Sequence, residues 1–198
     1  MVTGIPVFKL VIDPNVDEQD FSGVDFVALV DEPAIEKYFQ AFNKQQPKFN
    51  FAVTNEEKRI VAGALMIPNL PIYRNDMGKE YYVIFDNKTI EQISQKFFKL
   101  GYTGNVNNMH QADKKIEGVY MVESFIINSD RGICAPKGFE YMPDGTWFGS
   151  YKVENDEVWK QVKDGTFKGF SVEGYFKMIP DTITDEEMVN AIREAILQ

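Results

Sequence analysis

The run Lys168-Gly169-Phe170-Ser171-Val172-Glu173-Gly174-Tyr175-Phe176 alternates as a β-strand does. Phe170, Val172 and Phe176 fall on one face, and Gly169, Ser171, Glu173 and Tyr175 on the other. An apolar strand face needs a core beneath it, so this strand is expected to be half buried. The glycines beside the serine leave space for another backbone to come close. A serine on a rigid strand with room around it is where a nucleophile can sit, and equally where an ordinary surface serine sits. The run by itself leaves both readings open.

The rest of the chain repeats the strand signal. Ile5–Ile12 is rich in β-branched and aromatic residues and is stopped by Asp13-Pro14. Phe26–Val30, the nearly continuous apolar run Arg59–Pro68, Glu80–Phe85, Val119–Asn128 and Thr146–Val153 read as further strands. Helical spacing marks four segments. Ile35, Tyr38, Phe39 and Phe42 follow a first-turn proline, Pro33. Ile90, Ile93, Phe97 and Leu100 form the buried stripe of a helix capped by Asn87 or Thr89 and ended by Gly101. Val158, Trp159 and Val162 point one short helix inward, and a capping box at Thr184–Glu187 opens a C-terminal helix. Asn43–Glu57, Pro68–Met77 and Ser129–Gly145 read as loops. The pattern implies an α+β fold with a largely antiparallel sheet, closed into a barrel and wrapped by a few helices. One domain is expected over residues 1–180, with a helical tail over 181–198 that covers the barrel or pairs with a second copy in a homo-oligomer.

Composition removes several function classes. With 198 residues, 44% of them hydrophobic, the chain can bury a core of ordinary domain size. A net charge of −9 gives no basic footprint for nucleic acid. No apolar run approaches the roughly 20 residues that span a bilayer. One cysteine, Cys134, cannot close an internal disulfide, and no leader pattern opens the chain, so a reducing, cytoplasmic setting is expected. One cysteine and one histidine cannot build a thiolate or imidazole zinc cluster. An oxygen-ligand metal site stays open, although no EF-hand or similar spacing is present, and no cofactor is expected.

A serine nucleophile needs a base, and His110 is the only histidine. It lies in the short polar stretch Asn105–Gln111, between a helix and a strong strand. A catalytic imidazole also needs an acceptor behind it. In the alternation Val119, Met121, Glu123, Phe125, Ile127, the glutamate stands where a core residue belongs. Glu123 is therefore expected to be buried and paired. Glu173, on the serine's own face, is the rival, and Asp113 a third candidate. Cys134 beside Arg131 is a weaker nucleophile candidate, since a lone cysteine is most often a small hydrophobe.

Taken in order, Asp31-Glu32-Pro33-Ala34-Ile35, Asn108-Met109-His110, Val122-Glu123-Ser124, Gly145-Thr146-Trp147 and Lys168–Gly174 resemble the XkdF-type phage serine proteases. That group is similar to tailed-phage prohead (head maturation) proteases and, more distantly, to the herpesvirus assemblin proteases. The resemblance runs from about Val24 to Phe176. It implies an antiparallel barrel with the histidine and serine on neighbouring strands. It also implies a serine endopeptidase that cleaves scaffold and capsid-protein segments, and itself, inside the assembling head in the host bacterial cytoplasm. Ser171 would attack, His110 would act as base and then acid, and Glu123 is the preferred third member. The competing expectation is a non-catalytic capsid-assembly module of the same fold.

Overall fold

The computed structural model describes residues 5–13, 22–31, 51–111 and 114–181. The expected helices over 35–42 and after Pro180 lie outside these residues, as does Asp113.

Among the described residues eleven strands form, most where the apolar and β-branched runs lie and several where the sequence suggested none. They are β1 (Val7–Val11), β2 (Gly23–Val30), β3 (Ala52–Asn55), β4 (Ile60–Met66), β5 (Ile72–Asp76), β6 (Lys79–Ile84), β7 (Val106–Asn108), β8 (Val119–Ile126), β9 (Trp147–Val153), β10 (Gly169–Tyr175) and β11 (Lys177–Pro180). Two helices are described, α1 (Asn87–Lys99) and α2 (Asp156–Lys163). Strand pairing gives three sheets, in the orders β11-β1-β6-β5, β10-β2-β7 and β3-β4-β9-β8. All pairings are antiparallel except β1 with β6 and β2 with β7. The sheet-rich α+β class holds. Among the described residues the strands form these separate ladders, and the closed barrel expected from the sequence is not among them.

Two strands, β5 and β3, stand where loops were expected, and β11 is a strand for which there was no expectation. In the Pro68–Met77 segment, Met77 and Gly78 have φ of 48° and 85°, the positive values a tight hairpin turn requires, and β5 pairs with β6 across them. β3 pairs with β4, which gives an edge to a run that is apolar on both faces. β11 returns beside β1. The cap of α1 is also different from the expectation: the Asp86 carboxylate, one residue before Asn87, accepts from Thr89 N at 2.8 Å. Burial works against that charge. Hydrogen bonds from Thr89 and the nearby Lys9 ammonium outweigh it and hold the Asp86 carboxyl below its usual range.

The principal core gathers Val27 and Leu29 of β2, Phe170 of β10, Val106 of β7, Trp147 of β9 and the inner stripe Ile90, Ile93 and Phe97 of α1. Phe97 meets Trp147 edge-on at 5.4 Å between centroids. Each such side chain contributes about 1.5–3 kcal/mol by leaving water, so this core fixes α1 and the β10-β2-β7 sheet together.

The register of β10 on β2 slips between Glu173 and Gly174. There the two chains come so close that a Cβ on Gly174 would lie 1.9 Å from the Gly23 carbonyl oxygen. The glycine is required by backbone approach, as its place in the run suggested. Gly174→Ala is expected to destabilise the fold by about 1–3 kcal/mol, since the clash is with backbone that cannot rotate away. A denaturant titration reads this as a lower midpoint, and an unchanged midpoint would mean that the two strands separate easily.

Candidate active site

The site is built on the sheet β10-β2-β7. Its register pairs Ser171 with Ala28, and Ala28 with Asn107. Residues opposite one another in a sheet share a face, so these three form one row. Glu173 follows Ser171 by two and lies on the same face. Phe170, Leu29, Val27, Val172 and Val106 belong to the other face, which packs on the core. Ala28 and Asn107 are fully buried, and Ser171 is only 6% exposed. Both faces of the sheet are therefore covered at this point, not one as the alternation suggested.

His110 reaches this face through a turn. After β7, Met109 and His110 have φ of 49° and 60°, and the turn closes with Gln111 N donating to Asn108 O at 2.9 Å. Two consecutive non-glycine residues in the left-handed region are costly, about 1–3 kcal/mol each, and such strain persists where surrounding contacts impose it. The Met109 N–H is anchored to Leu29 O at 3.1 Å. The turn brings the ring back over the sheet, with Nδ1 at 3.1 Å from Glu173 Oε1, an ion pair when the imidazole is protonated. The same oxygen accepts a 2.6 Å hydrogen bond from Asn107 Nδ2. Glu173 is thus held from two sides. Its side chain is 19% exposed, against 46% for His110.

His110, Ser171 and Glu173 line one cavity of about 510 Å³, with apolar walls that include Leu65, Ile67 and Phe85. Asp25 faces it too. Burial raises its carboxyl above the usual range, and the Glu173 charge adds to the effect. Ser171 Oγ has no hydrogen bond among the described residues, so the Ser–His bond is not formed here. The remaining ring nitrogen, Nε2, has no role in the Glu173 contact. The grouping offers a hydroxyl, an imidazole and a buttressed carboxylate on one cavity wall, which are the components of nucleophilic acyl transfer.

Several sequence expectations need correction. Glu123 is exposed, because a β-bulge between Met121 and Glu123 inserts one residue against β9 and turns the glutamate off the apolar face. It does not line the cavity, and the imidazole contacts Glu173. His110 and Ser171 are not on neighbouring strands, since β2 lies between β7 and β10. Cys134 is exposed and outside the cavity lining. Asn107 and Asp25 were not singled out. The Asn107 position, preceded by Asn105-Val106 and followed by Asn108, reads as loop until its parallel partner β2 is known.

A protein-family model described as "Putative phage serine protease XkdF" matches residues 48–180, well over half of the chain. The chain belongs to this family. The matched segment contains His110, Ser171 and Glu173, together with Asn107. No curated protein and no solved structure gives a match. Among the described residues no helix is long and apolar enough to cross a membrane. Within this XkdF-family chain, the two glutamates are expected to separate cleanly. Glu173→Gln should lower the rate of serine acylation by about 10⁴, as the corresponding change does in a triad enzyme, while Glu123→Gln leaves it within about twofold. The measurement is the labelling rate with a fluorophosphonate probe, and the reverse pattern would return the role to Glu123.

Proposed function

We propose that this protein is the serine endopeptidase of phage head maturation, acting on scaffold and capsid-protein segments in the assembling head, in the host cytoplasm, with self-cleavage. The observation that carries the reading is His110 Nδ1 against Glu173 Oε1, with Ser171 on the same cavity wall. Family membership supplies the reaction class.

In this mechanism the Ser171 hydroxyl adds to the scissile carbonyl carbon as its proton passes to His110 Nε2. Glu173 stabilises the resulting imidazolium and fixes which nitrogen is free. The tetrahedral intermediate collapses, the C–N bond breaks, and the imidazolium returns the proton to the leaving amine. Water then gives a proton to His110 as it adds to the acyl carbon, the C–O bond to Ser171 breaks, and the imidazolium returns that proton to Ser171 Oγ. Catalytic hydrogen bonds often tighten only when substrate is bound, and the open Ser171 Oγ fits a resting state. That same open hydroxyl is the one observation that favours the alternative, a capsid-assembly module that hydrolyses nothing.

Fluorophosphonate labelling followed by intact-mass measurement distinguishes the two readings. The protease reading expects one adduct, on Ser171, and none in Ser171→Ala or His110→Ala. The double variant should be no worse than either single one, since the pair acts as a unit. A folded wild-type chain that takes no label, or self-cleavage that persists in Ser171→Ala, would contradict it.

A further inference from the structure

We propose that Asn107 is a positioning residue for this site: its carboxamide fixes the Glu173 carboxylate beneath His110 and thereby fixes the imidazole. The role rests on the protease reading only for its catalytic consequence.

Asn107 is fully buried on the middle row of the sheet, a position whose neighbours Ala28 and Val106 are apolar. Its Nδ2 donates to Glu173 Oε1, the same oxygen that faces His110 Nδ1. Its Oδ1 is buried with no hydrogen-bond partner among the described residues. A buried acceptor left open is unfavourable, and an apolar side chain would avoid that penalty. The residue is therefore poorly explained by packing and well explained by the bond it gives to Glu173. A carboxylate that accepts from a fixed amide cannot swing, and a fixed carboxylate selects one ring orientation. Among the described residues the charged groups at the cavity are Glu173 from β10, Asp25 from β2, His110 from the turn after β7, and Arg74. Lys115 is the bridge partner of Asn107, and its ammonium is turned to Asn105 Oδ1 at 3.3 Å.

The chain's single histidine makes this testable without any substrate. In a tag-free, ¹⁵N-labelled protein the only imidazole signals belong to His110. At about pH 8.5, where an ordinary imidazole is neutral, the wild type is expected to carry its proton on Nδ1, facing Glu173. Asn107→Leu should shift the ring nitrogens toward the Nε2–H tautomer that free imidazole prefers. It should also slow fluorophosphonate labelling by about 10²-fold, the order of effect that a small misplacement of catalytic groups produces. Asn107→Asp adds a readout that a merely structural role would not move. At high pH two carboxylates face each other and Glu173 is driven off. As pH falls the pair takes up one proton, and the protonated Asp donates as the amide did. The labelling rate of this variant relative to wild type should therefore climb toward one as pH is lowered.

Unchanged His110 nitrogen shifts in folded Asn107→Leu would overturn the proposal. If that variant does not fold, as judged by circular dichroism, a pH-independent rate ratio for Asn107→Asp would do so. Nitrogen shifts that respond in a protein that takes no label would leave the positioning role standing and remove the protease reading.

Discussion

Ala28 sets the geometry on which the site depends. It stands between Ser171 and Asn107 in one row of the sheet, so their backbones are two strand spacings apart, roughly 9–10 Å. No side chain rooted within β7 reaches Ser171 easily across that gap. The imidazole must come from beyond the strand end and fold back. The left-handed pair Met109–His110 does this, and the strain it carries is balanced by the Met109 bond to Leu29 and by the Glu173 contact. In this register β7 ends level with Leu29 while Glu173 lies level with Phe26, so the turn after β7 has to carry the imidazole back along the sheet to meet Glu173.

Asn107 is buried in this row on a sheet whose other face is core, and Glu173 on the same face is largely shielded from water. Such groups are tolerated when they are paired, and each is here tied to the next: Asn107 to Glu173, and Glu173 to His110. Among the described residues the open exceptions are Asn107 Oδ1 and the Ser171 hydroxyl. Asp25 adds a second carboxyl at the same cavity, and its raised proton affinity reflects burial first and the Glu173 charge after it. A wall so arranged concentrates reactive polar atoms against apolar surface, as substrate clefts commonly do.

Much of this was legible in the residues, for identifiable reasons. The long alternating or apolar runs became β4, β8, β9 and β10 because their β-branched and aromatic residues favour strands and need a core to pack on. Ser171 and His110 could be singled out because one histidine leaves no choice of imidazole. Glu123 misled because alternation assumes an unbroken ladder, and a one-residue bulge reverses every side chain beyond it. β7 was hidden because three polar residues in four read as loop unless a parallel partner from far along the chain supplies the pairing. Asn107 was hidden with it, since a buried asparagine has no sequence signature apart from the carboxylate it serves.

On the protease reading Ser171, His110 and Glu173 act as one unit, and a crystal structure of the protein after reaction with a fluorophosphonate tests this. Phosphorus should be bonded to Ser171 Oγ, with His110 Nε2 within hydrogen-bond distance of that oxygen or of the phosphonyl group and Nδ1 still on Glu173. An adduct on another residue, or a phosphonylated Ser171 with the imidazole turned away and Glu173 facing solvent, would contradict it.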